Sequence, residues 1–225
     1  MNASQFPTLL ALCATSLLSQ APASAPHDQG HSDQAQADQI HASDLGFTYS
    51  LPADWEVMDM APVLPVVQQQ ASKSATSEDE KKGVACAQLA LTARHGDPPS
   101  VIVVVTLPFD CFGQQMTEKD LAGVGEGASE GIKKSLDVSG PTYGAYTLGT
   151  HSVWIERATG SFIGHPDIKR TVETVCGILK KGAVCWMTLA VDDAALKIFE
   201  HGAVALDGDA PAALVPATAF NKKPL

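Results

Sequence analysis

The 225-residue sequence predicts an α+β sandwich built on a mostly antiparallel sheet. Three observations carry that expectation. Short β-rich runs follow one another with turn residues rather than helices between them, which favours antiparallel pairing. A capped helical period begins at Thr117, and a second helical period follows Asp192. Strands, helix, strands, helix is the element order of an α+β layer fold.

Residues 1–25 contain no charged side chain, and Leu9 to Leu18 form an apolar run of signal-peptide length that is too short to span a bilayer. Ala21-Pro22-Ala23 and Ala23-Ser24-Ala25 both offer the small-x-small pattern of a cleavage site. A basic n-region is missing from this leader. Cys13 follows Leu10-Ala11-Leu12, but a lipobox wants a small residue before its cysteine, so a lipid anchor is not expected. Residues 26–43 read as a polar linker in which His27 and His31 could hold a metal only weakly; no metal site is assigned.

Order is expected from residue 44. Phe47, Tyr49 and Leu51 alternate with polar positions as in a half-buried strand; Pro52-Ala53-Asp54 turns the chain, and Trp55 to Met58 resumes it. Residues 59–83, with two prolines, a Gln triplet and a charged Ser-rich run, read as a long mobile loop. Two strands follow, Val84 to Arg94 and Val101 to Leu107, joined by a turn at His95 to Ser100. The run Val101 to Val105 is apolar on both faces and suits a covered central strand. Thr117-Glu118-Lys119-Asp120 resembles a capping box, after which Leu121, Val124, Ala128, Ile132 and Leu136 recur at helical spacing until Ser139-Gly140-Pro141.

Extended runs at Tyr143 to Leu148, Ser152 to Ala158, Thr171 to Leu179 and Ala183 to Val191 come next. Asp192 then caps a last helix whose buried face is Leu196, Phe199, Ala203 and Leu206. Residues 208–225 read as a loose tail.

Without the leader, four cysteines remain: Cys86, Cys111, Cys176 and Cys185. An even number with no C-x-x-C spacing fits disulfides better than zinc. If Lys180 and Lys181 form a two-residue hairpin loop, Cys176 faces Cys185, whereas a three-residue loop ending in Gly182 shifts that register. Cys86 and Cys111 bracket the hairpin turning at His95 to Ser100. Each closure would stabilise the fold by roughly 3 kcal/mol on the chain-entropy model. The competing reading is four buried thiols acting as small hydrophobes.

With 25 acidic against 15 basic residues and a formal charge of −10, the chain is unsuited to binding a phosphate backbone. No run of 18 apolar residues marks a transmembrane helix. Gly127-Ala128-Ser129-Glu130-Gly131 is a literal G-x-S-x-G, but it lies within the helical period rather than after a strand, where a nucleophile elbow must sit. His151, His165 and His201 follow it in the chain without a defined role. Glu156 and Glu173 could be neighbours on adjacent strands and are expected as surface carboxylates, while Trp55, Trp154 and Trp186 are expected as core anchors. No catalytic residue, cofactor or dinucleotide fingerprint is assigned.

Two features resemble the PsbP-like / DcrB-like superfamily. One is Gly46-Phe47-Thr48-Tyr49-Ser50-Leu51-Pro52-Ala53-Asp54-Trp55, similar to that family's opening strand, proline turn and tryptophan. The other is the closing strand Val184 to Ala190, a short acidic turn, and an amphipathic helix ending near Leu206. The resemblance covers residues 44–207 and implies an α/β/α sandwich, its central sheet flanked by the mid-chain and C-terminal helices. It also implies a non-enzymatic role based on docking to other proteins. The expected function is therefore an exported, periplasmic or extracellular binding or scaffold protein of the cell envelope with an unknown protein partner. The alternatives are an envelope hydrolase with an unidentified histidine and carboxylate, or a weak metal-binding protein using the N-terminal linker.

Overall fold

The computed structural model describes residues 39–133, 136–163 and 165–217. The leader, Cys13, and His27 and His31 lie outside the described residues. The strands are β1 (Gln39–Ala42), β2 (Phe47–Leu51), β3 (Glu56–Val57), β4 (Gln88–His95), β5 (Ser100–Pro108), β6 (Leu136–Leu148), β7 (His151–Phe162), β8 (His165–Ile178), β9 (Gly182–Ala190), β10 (His201–Leu206) and β11 (Ala212–Pro216). The helices are α1 (Leu64–Ser74), α2 (Glu78–Cys86), α3 (Phe109–Phe112), α4 (Leu121–Lys133) and α5 (Asp193–Glu200), with a 3₁₀ turn at Glu118–Asp120 before α4.

All strands join one sheet in the order β1-β2-β10-β11-β6-β7-β8-β9-β5-β4-β3, with every pairing antiparallel. The sheet curls into a half-barrel. The extent of curling follows from one contact. Strands β2 and β9 stand six places apart, which is about 29 Å in a flat sheet at 4.8 Å per strand. Yet the Phe47 and Trp186 rings lie 5.9 Å apart, so the β2 end folds back over the middle strands.

That curl corrects the expected α/β/α sandwich. Helices α1 to α4 cover the convex face, where Val101, Val103 and Val105 of β5 point outward to meet Val67, Val84 and Val124. The concave face belongs to the sheet itself. Phe47, Tyr49 and Leu51 of β2 and Val204 and Leu206 of β10 pack on Ile102, Val104 and Trp186, with Leu196 of α5 inserted among them. The room for a second helical layer is taken by the rolled sheet edge.

Several local expectations are corrected as well. Residues 59–83 carry α1 and most of α2 rather than a bare loop, and α2 runs on to Cys86, so the strand expected from Val84 begins only at Gln88. Pro65 fits the first turn of α1, where its missing N–H costs nothing, and Val67 and Ala71 put one i,i+4 stripe against the core. The Ser77 hydroxyl accepts the Glu80 N–H and starts α2, while the Glu80 carboxylate accepts from Thr76 N–H at 2.6 Å. Helix α4 stops at Lys133, and Leu136 already belongs to β6, where Ser139 to Thr142 form an irregularity in the pairing with β7. Helix α5 ends at Glu200; Ala203 and Leu206, expected on its buried face, instead belong to β10. The stretch expected as a tail supplies β11, seated between β10 and β6.

Two disulfides fasten this frame. Cys86–Cys111 ties the end of α2 to α3, and Cys176–Cys185 crosses β8 and β9, whose hairpin turns on Lys180 and Lys181 with Leu179 N–H bonded to the Gly182 carbonyl.

Candidate functional site

A cleft of about 450 Å³ opens at one end of the sheet, formed by the β2–β3 turn, the β4–β5 turn and the start of α5. Local sequence builds each wall. Pro52 turns the chain after β2, and its carbonyl accepts the Trp55 N–H at 3.1 Å. His95 ends β4, and Gly96 takes a positive φ of 81°, a conformation glycine adopts without strain. Ser100, opposite His95 in the β4–β5 register, accepts the Val191 N–H at 3.1 Å and so fixes the approach to α5. Asp192 accepts the Ala195 N–H at 3.3 Å as an N-cap.

Within the cleft, His95 Nε2 lies 2.8 Å from Asp54 Oδ2, and its ring stacks on buried Trp55 at 5.6 Å with an 18° interplanar angle. His95 and Asp54 are 43% and 65% exposed, so the pair adds little to stability and serves to orient the imidazole. Asp97 and Asp192 add two more exposed carboxylates, and no lysine or arginine lines the opening. The sequence predicts a turn at His95 to Ser100 and another at Pro52 to Asp54. Their meeting is not legible along the chain, where Asp54 and His95 stand 41 positions apart.

The remaining ionisable groups of interest are structural. Ser129 is buried on α4 and hydrogen-bonds the Glu156 carboxyl of β7, so the serine of the G-x-S-x-G stretch serves a helix–sheet contact. Glu156 is 4% exposed and leaves Oε2 without a hydrogen-bond partner; burial raises its pKa above the ordinary carboxyl value, opposed by the Ser129 bond and by Lys133.

Glu173 sits on the opposite face. Both carboxylates are therefore buried, which corrects their expected surface placement, and strand alternation keeps them apart. Arg157 Nε donates to Glu173 Oε2 and Arg157 Nη2 donates to Glu200, tying β7, β8 and the end of α5 together. Burial, joined by the nearby Glu200 charge, raises the Glu173 pKa above the ordinary carboxyl value, against the opposing effect of Arg157.

The histidines do not converge. His151 lies 3.6 Å from Asp209 and 3.8 Å from Asp207, but both Asp207 oxygens already accept the Lys180 N–H. His201 is exposed at the start of β10, and the His165 side chain lies outside the described residues. Among the described residues, no three His, Cys, Asp or Glu side chains group as metal ligands, and no helix is long and apolar enough to cross a membrane. Trp55, Trp154 and Trp186 are all buried.

No family model matches the chain, and no curated protein matches it. Among solved structures, the chain is similar to the crystal structure of LpqN, involved in cell envelope biogenesis of Mycobacterium tuberculosis. The identity is 17%, the match covers 80% of this chain and 91% of that one, and the TM-score is 0.38. So loose a likeness identifies neither a family nor an activity.

Proposed function

We propose that this chain is an exported, non-catalytic binding or scaffold protein of the cell envelope, working in the periplasm or outside the cell by docking on another protein. The observation that carries the reading is the open cleft between the β2–β3 turn, the β4–β5 turn and α5, of a volume within the roughly 300–1,000 Å³ usual for ligand sites. Its walls are held by hydrogen bonds, from Trp55 N–H to the Pro52 carbonyl and from Val191 N–H to the Ser100 hydroxyl, which suits a rigid recognition surface. Export is supported by two disulfides, which form and persist in oxidising compartments, and by the leader-like pattern of residues 9–25. In-cell photo-crosslinking from a residue at the cleft rim, followed by mass spectrometry of the envelope fraction, tests it. One recurrent adduct is expected; none in repeated trials overturns the reading.

One observation favours a second reading. The His95–Asp54 pair in the cleft has the components of an acid–base dyad, as an envelope hydrolase would need. A panel of ester and phosphoester substrates assayed with the wild-type chain and with His95→Ala decides it: turnover lost in the variant supports an enzyme.

A further inference from the structure

We propose that the cleft receives a lysine or arginine side chain carried by the partner protein. The inference rests on the docking reading and specifies its chemistry. Three carboxylates, Asp54, Asp97 and Asp192, stand around one opening whose lining contains no lysine or arginine. Trp55, Val191 and Ile198 supply apolar lining to the same cleft, and Val191 is 40% exposed. A long aliphatic stem ending in a cation matches both features, because such side chains bury their methylenes against apolar surface and leave the charge among polar groups.

Two of the acids are positioned in advance. Asp54 is oriented by His95, and Asp192 by the first turn of α5. Preformed carboxylates lose little further freedom when a cation arrives. The formal charge of −10 adds a long-range field of the same sign, which speeds encounter with a basic partner. An acidic or phosphorylated segment would meet repulsion from the same three carboxylates.

The test uses a blocked pentapeptide with one central arginine flanked by valines, and a control in which neutral, isosteric citrulline replaces the arginine. Amide chemical shifts of the labelled chain are followed during titration. The arginine peptide is expected to bind at least fivefold more tightly than the control, with shifts confined to residues 52–55, 95–100 and 191–198. Asp54→Asn, Asp97→Asn and Asp192→Asn are each expected to weaken binding roughly two- to fivefold. Raising the salt to about 0.5 M should weaken the unmodified chain similarly, a check that needs no variant to fold.

Equal binding of both peptides, no binding, or shifts elsewhere on the molecule overturns the inference. If the crosslinked partner is still captured when all three aspartates are replaced by asparagine, docking stands and the cationic assignment falls. If neither partner nor peptide binds, both fall.

Discussion

Arg157 Nε lies 2.5 Å from Glu173 Oε2, directly across the β7–β8 register, and Glu173 is 0% exposed. Arg157 also holds Glu200 at the C-terminal end of α5, where a carboxylate opposes the helix dipole. One guanidinium thus joins two strands and a helix beside the concave core.

Arg157→Met should leave Glu173 buried without its cation. The expected cost at pH 7 is about 3 kcal/mol, at the low end for a broken buried pair, because the Arg157 side chain is 35% exposed. The loss should shrink in acid as Glu173 protonates, and Glu173→Gln should cost less than Arg157→Met. Urea denaturation at pH 7 and pH 4.5 measures both; equal losses at the two pH values would remove the electrostatic explanation.

Glu156 gives a pH dependence of definite sign. Its folded pKa is raised, so its contribution to stability is full below the ordinary carboxyl value and is lost as pH rises through the folded value. Glu156→Gln keeps a polar group for Ser129 and removes the charge. The variant should melt above wild type at pH 7 and at the same temperature or below it at pH 4. A wild-type advantage at neutral pH would contradict this.

Gly125 lies on α4 against the indole of Trp154, and an added Cβ would overlap that ring well inside van der Waals contact. Gly125→Ala gains about 1 kcal/mol in helix propensity but forces an overpacked site that typically costs about 1–3 kcal/mol. Net destabilisation is expected, relieved when Trp154→Leu is added. A double-mutant cycle in denaturant reads the coupling.

The two disulfides should differ in worth. Cys86–Cys111 spans 25 residues and Cys176–Cys185 spans nine. On the chain-entropy model, Cys86→Ala/Cys111→Ala should cost roughly 1 kcal/mol more than Cys176→Ala/Cys185→Ala. The β8–β9 hydrogen bonds already hold the second pair close. Thermal melts of the two double variants under oxidising conditions compare them.

The sequence alone determined what depends on near neighbours. Alternation at Phe47 to Leu51 specified a half-buried strand, the Val101 to Val105 run a strand covered on both sides, and Thr117 with Asp120 a reciprocal cap. The turns at Pro52 and Gly96 were equally local, being set by backbone constraints of single residues. Tertiary structure alone decided which strands meet. Helical spacing at Ala203 and Leu206 gave way to β10 because a place between β2 and β11 satisfies the backbone hydrogen bonds there and still buries Leu206. The burial of Glu156 and Glu173, and the meeting of Asp54 with His95, follow from how far the sheet curls and where its ends return. Curl is the accumulated twist of many strand pairs, a property that no window of neighbouring residues contains.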